Sequence, residues 1–184
     1  MSSGRPAHVV VMGVTGTGKT SIGAALAAAL DWVFIEGDAV HPAVNIAKMR
    51  AGIPLTDEDR IPWLEALGGL TAERDAERRS TVVAASALRR MYRDLLRAAV
   101  PGGATFFVQL AAPAGVLLER MTARDHFMPP VLLQSQFDAL EPLRADEDGV
   151  VVDVDRPADA VLGDVLAAIR ARFPDAVEHD AGDA

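Results

Sequence analysis

The chain has no cysteine among its 184 residues, which excludes disulfides and thiolate metal sites. Lysine is nearly as scarce, present only as Lys19 and Lys48, and Asn45 is the sole asparagine. Positive charge is in deficit: the net charge is −8 and the pI about 4.9. That balance argues against a nucleic-acid or anionic-membrane surface, either of which needs a basic face. No hydrophobic run approaches the ~20 residues of a membrane-spanning helix. Met1 to Pro6 has no apolar stretch of the kind a secretory signal carries, so the expected location is cytoplasmic. No internal repeat is evident. What remains is 50% hydrophobic and 24% charged residues, the composition of one globular domain with a proper core.

Against that background one stretch stands out. Gly13-Val14-Thr15-Gly16-Thr17-Gly18-Lys19-Thr20 fits G-x-x-x-x-G-K-[ST], the phosphate-cradling P-loop. His8 to Met12 before it is short, apolar and valine-rich, as a buried strand is. After it, Ile22, Leu26 and Leu30 recur every four residues, as on one helix face. The glycines let several backbone N–H groups converge on one phosphate chain, and the helix N-terminus adds partial positive charge. Lys19 is placed to reach the β/γ-phosphates and the Thr20 hydroxyl to bind Mg²⁺.

The rest of the chain alternates. Trp32–Ile35, Thr81–Ala85, Thr105–Leu110 and Val150–Val154 read as further strands. Helical segments separate them: one opening at Pro42, one from Leu64 to Arg79 with a solvated face, and one from about Pro113 to Ala123. A last helix carries the buried stripe Val161, Leu162, Val165, Leu166 and Ile169. Five strands alternating with helices predict an α/β fold with a parallel sheet. From Pro174 onward the tail is acidic, without aromatics, and is expected to be disordered.

Glu36 and Asp38 follow the second strand, where ligands bind in such sheets. Asp38 could accept the proton of an attacking hydroxyl and Glu36 could hold Mg²⁺ through water; both could equally supply charge to a helix N-terminus. Thr56 with Asp57, Glu58 and Asp59 reads as an N-cap and acidic first turn. Arg60 and Trp63 could hold an anion against an apolar wall. Arg89, Arg90, Arg93 and Arg97 suit either anion binding or a basic solvated helix. Arg120 and Arg124 share a helix face and suit a lid that neutralises transition-state charge. His126 could serve there or simply hydrogen-bond.

These segments together resemble the gluconokinases, small P-loop kinases related to shikimate and adenylate kinases. The likeness rests on the P-loop, Gly37-Asp38 with His41-Pro42, and Asn45 through Trp63. It also rests on Ser86 to Arg90 with Tyr92-Arg93-Asp94, and on His126 through Glu141. The resemblance implies ATP-dependent phosphorylation of the 6-hydroxyl of D-gluconate with Mg²⁺, strand order 2-3-1-4-5, and a homodimer. It implies one kinase domain over residues 1–173 with a mobile lid at about 120–142. Asp38 matches the catalytic base, acting with Lys19 and Arg124. Gly13, Thr15, Gly16, Thr17, Gly18, Lys19, Thr20 and Ser21 would bind nucleotide with Arg120, Arg124 and Arg156. Asp38, His41, Arg60, Ser86, Arg89, Arg93, His126 and Gln136 would bind substrate, and Thr20 and Glu36 the metal. The chain departs from the family in having Glu36 for aspartate, Ala85 for cysteine, and one residue fewer in Arg124-Asp125-His126.

Other readings are a kinase for shikimate or another small hydroxy acid, and a nucleotide-binding protein without kinase activity. A GTP switch would need N-K-x-D, which the single asparagine, followed by Ile46, cannot supply.

Overall fold

The strand after which the P-loop turns is the centre of the molecule because it is apolar on both faces. In β1 (Ala7–Met12) every residue is buried, and side chains alternate between two cores. Val9 and Val11 join one core with Ile22, Leu26, Val161, Val165 and Ile169. Val10 and Met12 join the other with Trp63, Leu64, Leu67, Tyr92, Leu96 and Phe107. A strand buried on both faces belongs inside a parallel sheet with helices on both sides.

The chain is described here by a computed structural model covering residues 5–102, 104–123 and 131–179. Its elements in order are β1, α1 (Lys19–Leu30), β2 (Val33–Glu36), a 3₁₀ turn (Gly37–Val40), α2 (Ala43–Arg50), α3 (Asp57–Ala76) and β3 (Thr81–Ala84). Then follow α4 (Arg90–Ala98), β4 (Ala104–Ala111), α5 (Ala114–Ala123), α6 (Val131–Ala139), β5 (Gly149–Asp153), α7 (Ala158–Arg172) and α8 (Pro174–His179). The five strands form one sheet in the order β2-β3-β1-β4-β5, every pairing parallel. The implied order and the fold class are those observed.

Two elements differ from the sequence expectation. The helix expected over Leu64–Arg79 is the body of a longer one, α3 (Asp57–Ala76), which begins at the N-cap that Thr56 marks and stops at Ala76. The Thr56 hydroxyl accepts the Asp59 N–H and the Asp59 carboxylate accepts the Thr56 N–H, a reciprocal capping box. Pro62 falls inside that helix without ending it. The tail is not disordered from Pro174: residues 174–179 form α8. Phe173, buried before it, meets Phe106 edge to face at 5.9 Å, and Ala176 packs on the same core. Aromatic anchoring there outweighs the acidic composition that followed it.

Candidate functional site

The P-loop leaves β1 with a conformation only glycine takes easily. Gly13 has φ 145°, and a Cβ there would stand 2.5 Å from the Leu110 carbonyl oxygen. Gly18, at φ 88°, opens α1 with no side chain capping it, so the first helical N–H groups are left for a ligand. Thr17 is buried and its hydroxyl donates to the Val14 carbonyl, fixing the loop from within. Lys19 donates to the same carbonyl at 3.1 Å. Burial lowers the Lys19 pKa, while the carboxylates of Asp38 and Glu36 oppose that shift.

A cavity of about 360 Å³ opens over this loop. From the P-loop and α1, Thr15, Gly16, Gly18, Lys19, Thr20 and Ser21 line it; from elsewhere come Asp38, His41, Arg60, Ser86, Arg120 and Gln136. Asp38 sits in the 3₁₀ turn just past β2. That turn is pressed against the sheet, since a Cβ at Gly37 would stand 2.3 Å from the Ala84 carbonyl oxygen. Trp63 of α3 donates from Nε1 to the Gly37 carbonyl at 2.8 Å, and its ring stacks on His41 at 4.1 Å. Burial and Arg60 pull His41 down to about 4, with Asp38 opposing.

Glu36 carries the observation that bears on a metal. Its Oε1 accepts the Asp38 N–H at 3.3 Å, but its Oε2 is buried with no hydrogen-bond partner. A buried carboxylate oxygen without a donor is costly unless a cation completes it. Thr20, in the first turn of α1, lines the cavity; Glu36 is not among the residues lining it and stands two positions before Asp38, which is. Among the described residues no cluster of three His, Cys, Asp or Glu forms a cage. One carboxylate and one hydroxyl suit Mg²⁺, which keeps several waters and takes the rest of its shell from phosphate oxygens.

The apolar wall is not where Trp63 suggested. Trp63 lies beneath His41, fully buried, and the wall consists of Met49, Pro54, Leu55 and Leu132. Met49, Leu55 and Leu132 form a small buried cluster of their own, joining α2, the following loop and α6. Only the Gly52-Ile53-Pro54-Leu55 turn hinted at it in the sequence.

Five arginine assignments divide. Arg60 lines the cavity; its Nη1 donates to the Leu55 carbonyl at 2.6 Å and the Tyr92 hydroxyl at 3.4 Å. Arg120 also lines it, with Nη2 donating to the Val154 carbonyl at 2.6 Å. Arg89 instead grips Asp57, at 2.8 and 3.1 Å, outside the cavity. Arg156 is exposed and paired with Asp164, also outside it. Arg93 is fully buried and cannot meet a substrate. It makes a two-pronged contact with Glu147 at 2.6 and 2.7 Å and donates to the Ala87, Leu88 and Glu141 carbonyls. It thus clamps the loop carrying Ser86, where Ala87 takes φ 41°. Arg93 is a structural residue.

Gln136 is in the cavity, but its Oε1 accepts the Thr15 N–H at 2.7 Å. The contact ties it to the phosphate loop, in the cavity that Asp38, His41 and Arg60 also line. Lys48 proves structural, donating to both oxygens of Asp59 at 2.7 and 2.8 Å. Arg124 and His126 lie outside the described residues.

Comparison with known proteins agrees with this geometry. A family model described as an AAA domain matches residues 9–141. The thermosensitive gluconokinase of Escherichia coli (strain K12) is 46% identical over 143 residues, covering 77% of this chain and 75% of that protein. The gluconokinase of Gluconobacter oxydans (strain 621H) is 41% identical over 169 residues, covering 91% and 93%. A solved gluconokinase structure from Sinorhizobium meliloti 1021 superposes with a TM-score of 0.82 at 49% identity, covering 92% of this chain and 95% of that one. Likeness at this level, over nearly the whole length and around one P-loop cavity, has one meaning: the chain belongs to the gluconokinase family.

Proposed function

We propose that the chain transfers the γ-phosphoryl group of ATP to the 6-hydroxyl of D-gluconate, giving 6-phospho-D-gluconate and ADP. The observation that carries this reading is the convergence of Lys19, Asp38 and Arg60 on one cavity at the N-terminus of α1.

In this mechanism the loop amides and the α1 N-terminus hold the phosphate chain, and Lys19 swings from the Val14 carbonyl onto the β/γ-phosphates. Asp38 orients the substrate hydroxyl and takes its proton as the oxygen attacks phosphorus. Arg60 holds the substrate carboxylate, a match for its planar fork of donors. Met49, Leu55 and Leu132 keep water from the carbon chain. Arg120, with Arg124, stabilises charge on the transferring group and on the leaving phosphate. Thr20 and Glu36 would hold Mg²⁺, which neutralises phosphate charge when bound. Most of the acceleration comes from positioning and electrostatics.

The same reading takes residues 1–173 as one kinase domain with a lid at about 120–142, a homodimer as the assembly, and the cytoplasm as the location. No described helix is long and apolar enough to cross a membrane.

The test is ATP consumption with D-gluconate and Mg²⁺, coupled to oxidation of 6-phosphogluconate. The expected turnover is in the ordinary kinase range, about 1–100 s⁻¹. Turnover of shikimate or another hydroxy acid in place of gluconate would replace the substrate. Nucleotide binding with no turnover would replace the reaction.

A further inference from the structure

His41 is held more firmly than contact with a substrate requires. Its ring lies 13° from parallel to Trp63, which is itself pinned through Nε1 to the Gly37 carbonyl. Stacking fixes the plane of the ring but not which nitrogen carries the proton.

Asn45 settles the proton. This residue, nearly fully buried, donates from Nδ2 to the Asp59 carbonyl oxygen at 2.8 Å. A carbonyl oxygen only accepts, so the amide nitrogen must face it, and the amide orientation is thereby fixed. The same Nδ2 stands 3.4 Å from His41 Nδ1. The second amide hydrogen therefore points at Nδ1, which must accept, and the neutral ring then carries its proton on Nε2. No described residue partners Nε2, and His41 lines the cavity together with Asp38 and Arg60.

We propose that Asn45 is a positioning residue that holds His41 as the Nε2–H tautomer, and that His41 offers this N–H, uncharged, to a hydroxyl oxygen of a polyhydroxy acid in the cavity. The second half rests on the function proposed above; the first does not.

A neutral donor is what the site needs. An imidazolium here would stand beside Arg60, like charge against like, and would pair with Asp38 and weaken it as a base. A neutral N–H binds a hydroxyl oxygen while leaving the Asp38 charge for the attacking hydroxyl. The low basicity that burial and Arg60 impose on His41 keeps the ring uncharged at neutral pH. Substrates lacking the matching hydroxyl would leave the N–H without a partner and bind more weakly.

The tautomer can be read without a substrate. In the full chain labelled with ¹⁵N-histidine, two-bond proton–nitrogen spectra distinguish the two neutral forms and the imidazolium. The His41 signal is assigned among the four histidines by its loss in His41→Gln. At neutral pH the expected spectrum has Nε2 protonated and Nδ1 bare; an Nδ1–H form or an imidazolium overturns the proposal. Asn45→Asp reverses the polarity of the contact and should move the proton onto Nδ1. It should also raise KM for gluconate about tenfold, the worth of one hydrogen bond, with KM for ATP within about twofold. A switched tautomer with unchanged gluconate KM overturns the substrate half. His41→Gln, which keeps a donor near Nε2, should retain more gluconate kcat/KM than His41→Asn; the reverse order would also overturn it. Inactivity of the wild-type chain on gluconate would sink the proposed function while the spectrum still decides the tautomer.

Discussion

Two charged centres in this molecule are finished to different degrees. Around Arg93 everything is paired: Glu147 takes Nε and Nη2, three carbonyls take Nη1, and Glu147 also accepts the Arg144 N–H at 3.2 Å. Those donors hold the Glu147 carboxyl down at about 2. In the cavity the bonding stops short. Lys19 donates to its own loop and His41 uses one nitrogen, and two residues before Asp38 the Glu36 Oε2 is buried without a partner. A buried polar group left incomplete is destabilising unless something supplied from outside completes it. The contrast separates charges that build the fold from charges that await a ligand.

Exchanging the chemistry at either centre tests that contrast. Asp38→Asn keeps the shape of the cavity but removes the proton acceptor, so kcat should fall about 10²–10⁴-fold with thermal stability and ATP affinity little changed. An unaltered kcat would remove Asp38 as the base. Glu147→Ala should do the opposite. It leaves a buried guanidinium unpaired, for a loss of about 3–5 kcal/mol in denaturant unfolding, while KM values in the surviving folded protein stay near wild type. A gluconate KM effect without a stability loss would return Arg93 to the substrate side. The pH sign agrees: Glu147 is depressed from 4.5 to about 2, so its stabilisation is full above 4.5 and is lost as pH falls toward 2.

The fold was legible because its signals are local. Valine-rich runs mark the strands, the P-loop marks the first strand–helix turn, and Thr56 with Asp59 marks the start of α3. Strand order came only from family resemblance, since periodicity does not choose neighbours. The site was legible where motif and position coincide, at Lys19, Thr20 and Asp38. It failed where a side chain's role depends on a distant partner. Arg60 and Arg93 look alike in sequence, yet one lines the cavity and the other is claimed by a glutamate 54 residues away. Arg89 was likewise taken by Asp57. The tail misled because composition was read without Phe173, whose packing on Phe106 carries helix α8.

His41 sharpens the comparison through pH. Asp38, Arg60, Asn45 and Trp63 face it, and its pKa is depressed from 6.5 to about 4. The unfolded chain binds a proton there between those values and the native chain does not. Stability is therefore full above 6.5 and falls as pH drops toward 4. Unfolding free energies of wild type and His41→Gln, compared across that window, should converge as the pH falls. A constant difference would place the ring in water and blur the line between the two centres.

The smallest effect concerns Gln136, which stands on the boundary between the two kinds of group. It lines the cavity, yet its Oε1 is spent on the Thr15 N–H at 2.7 Å. P-loop amides serve phosphate when nucleotide is bound, so this bond shapes the cradle rather than the acceptor site. Gln136→Ala leaves that buried N–H without its acceptor, at a cost of about 1–3 kcal/mol. KM for ATP should rise about tenfold, at 1.4 kcal/mol per decade, and KM for gluconate should hold within about twofold. Gln136→Glu keeps the acceptor oxygen but sets a negative charge beside the phosphate chain, so it should weaken ATP binding further than alanine does. If gluconate KM moves instead and ATP KM does not, Gln136 belongs with Arg60 and His41, and the hydrogen bond to Thr15 is a resting contact that the substrate displaces.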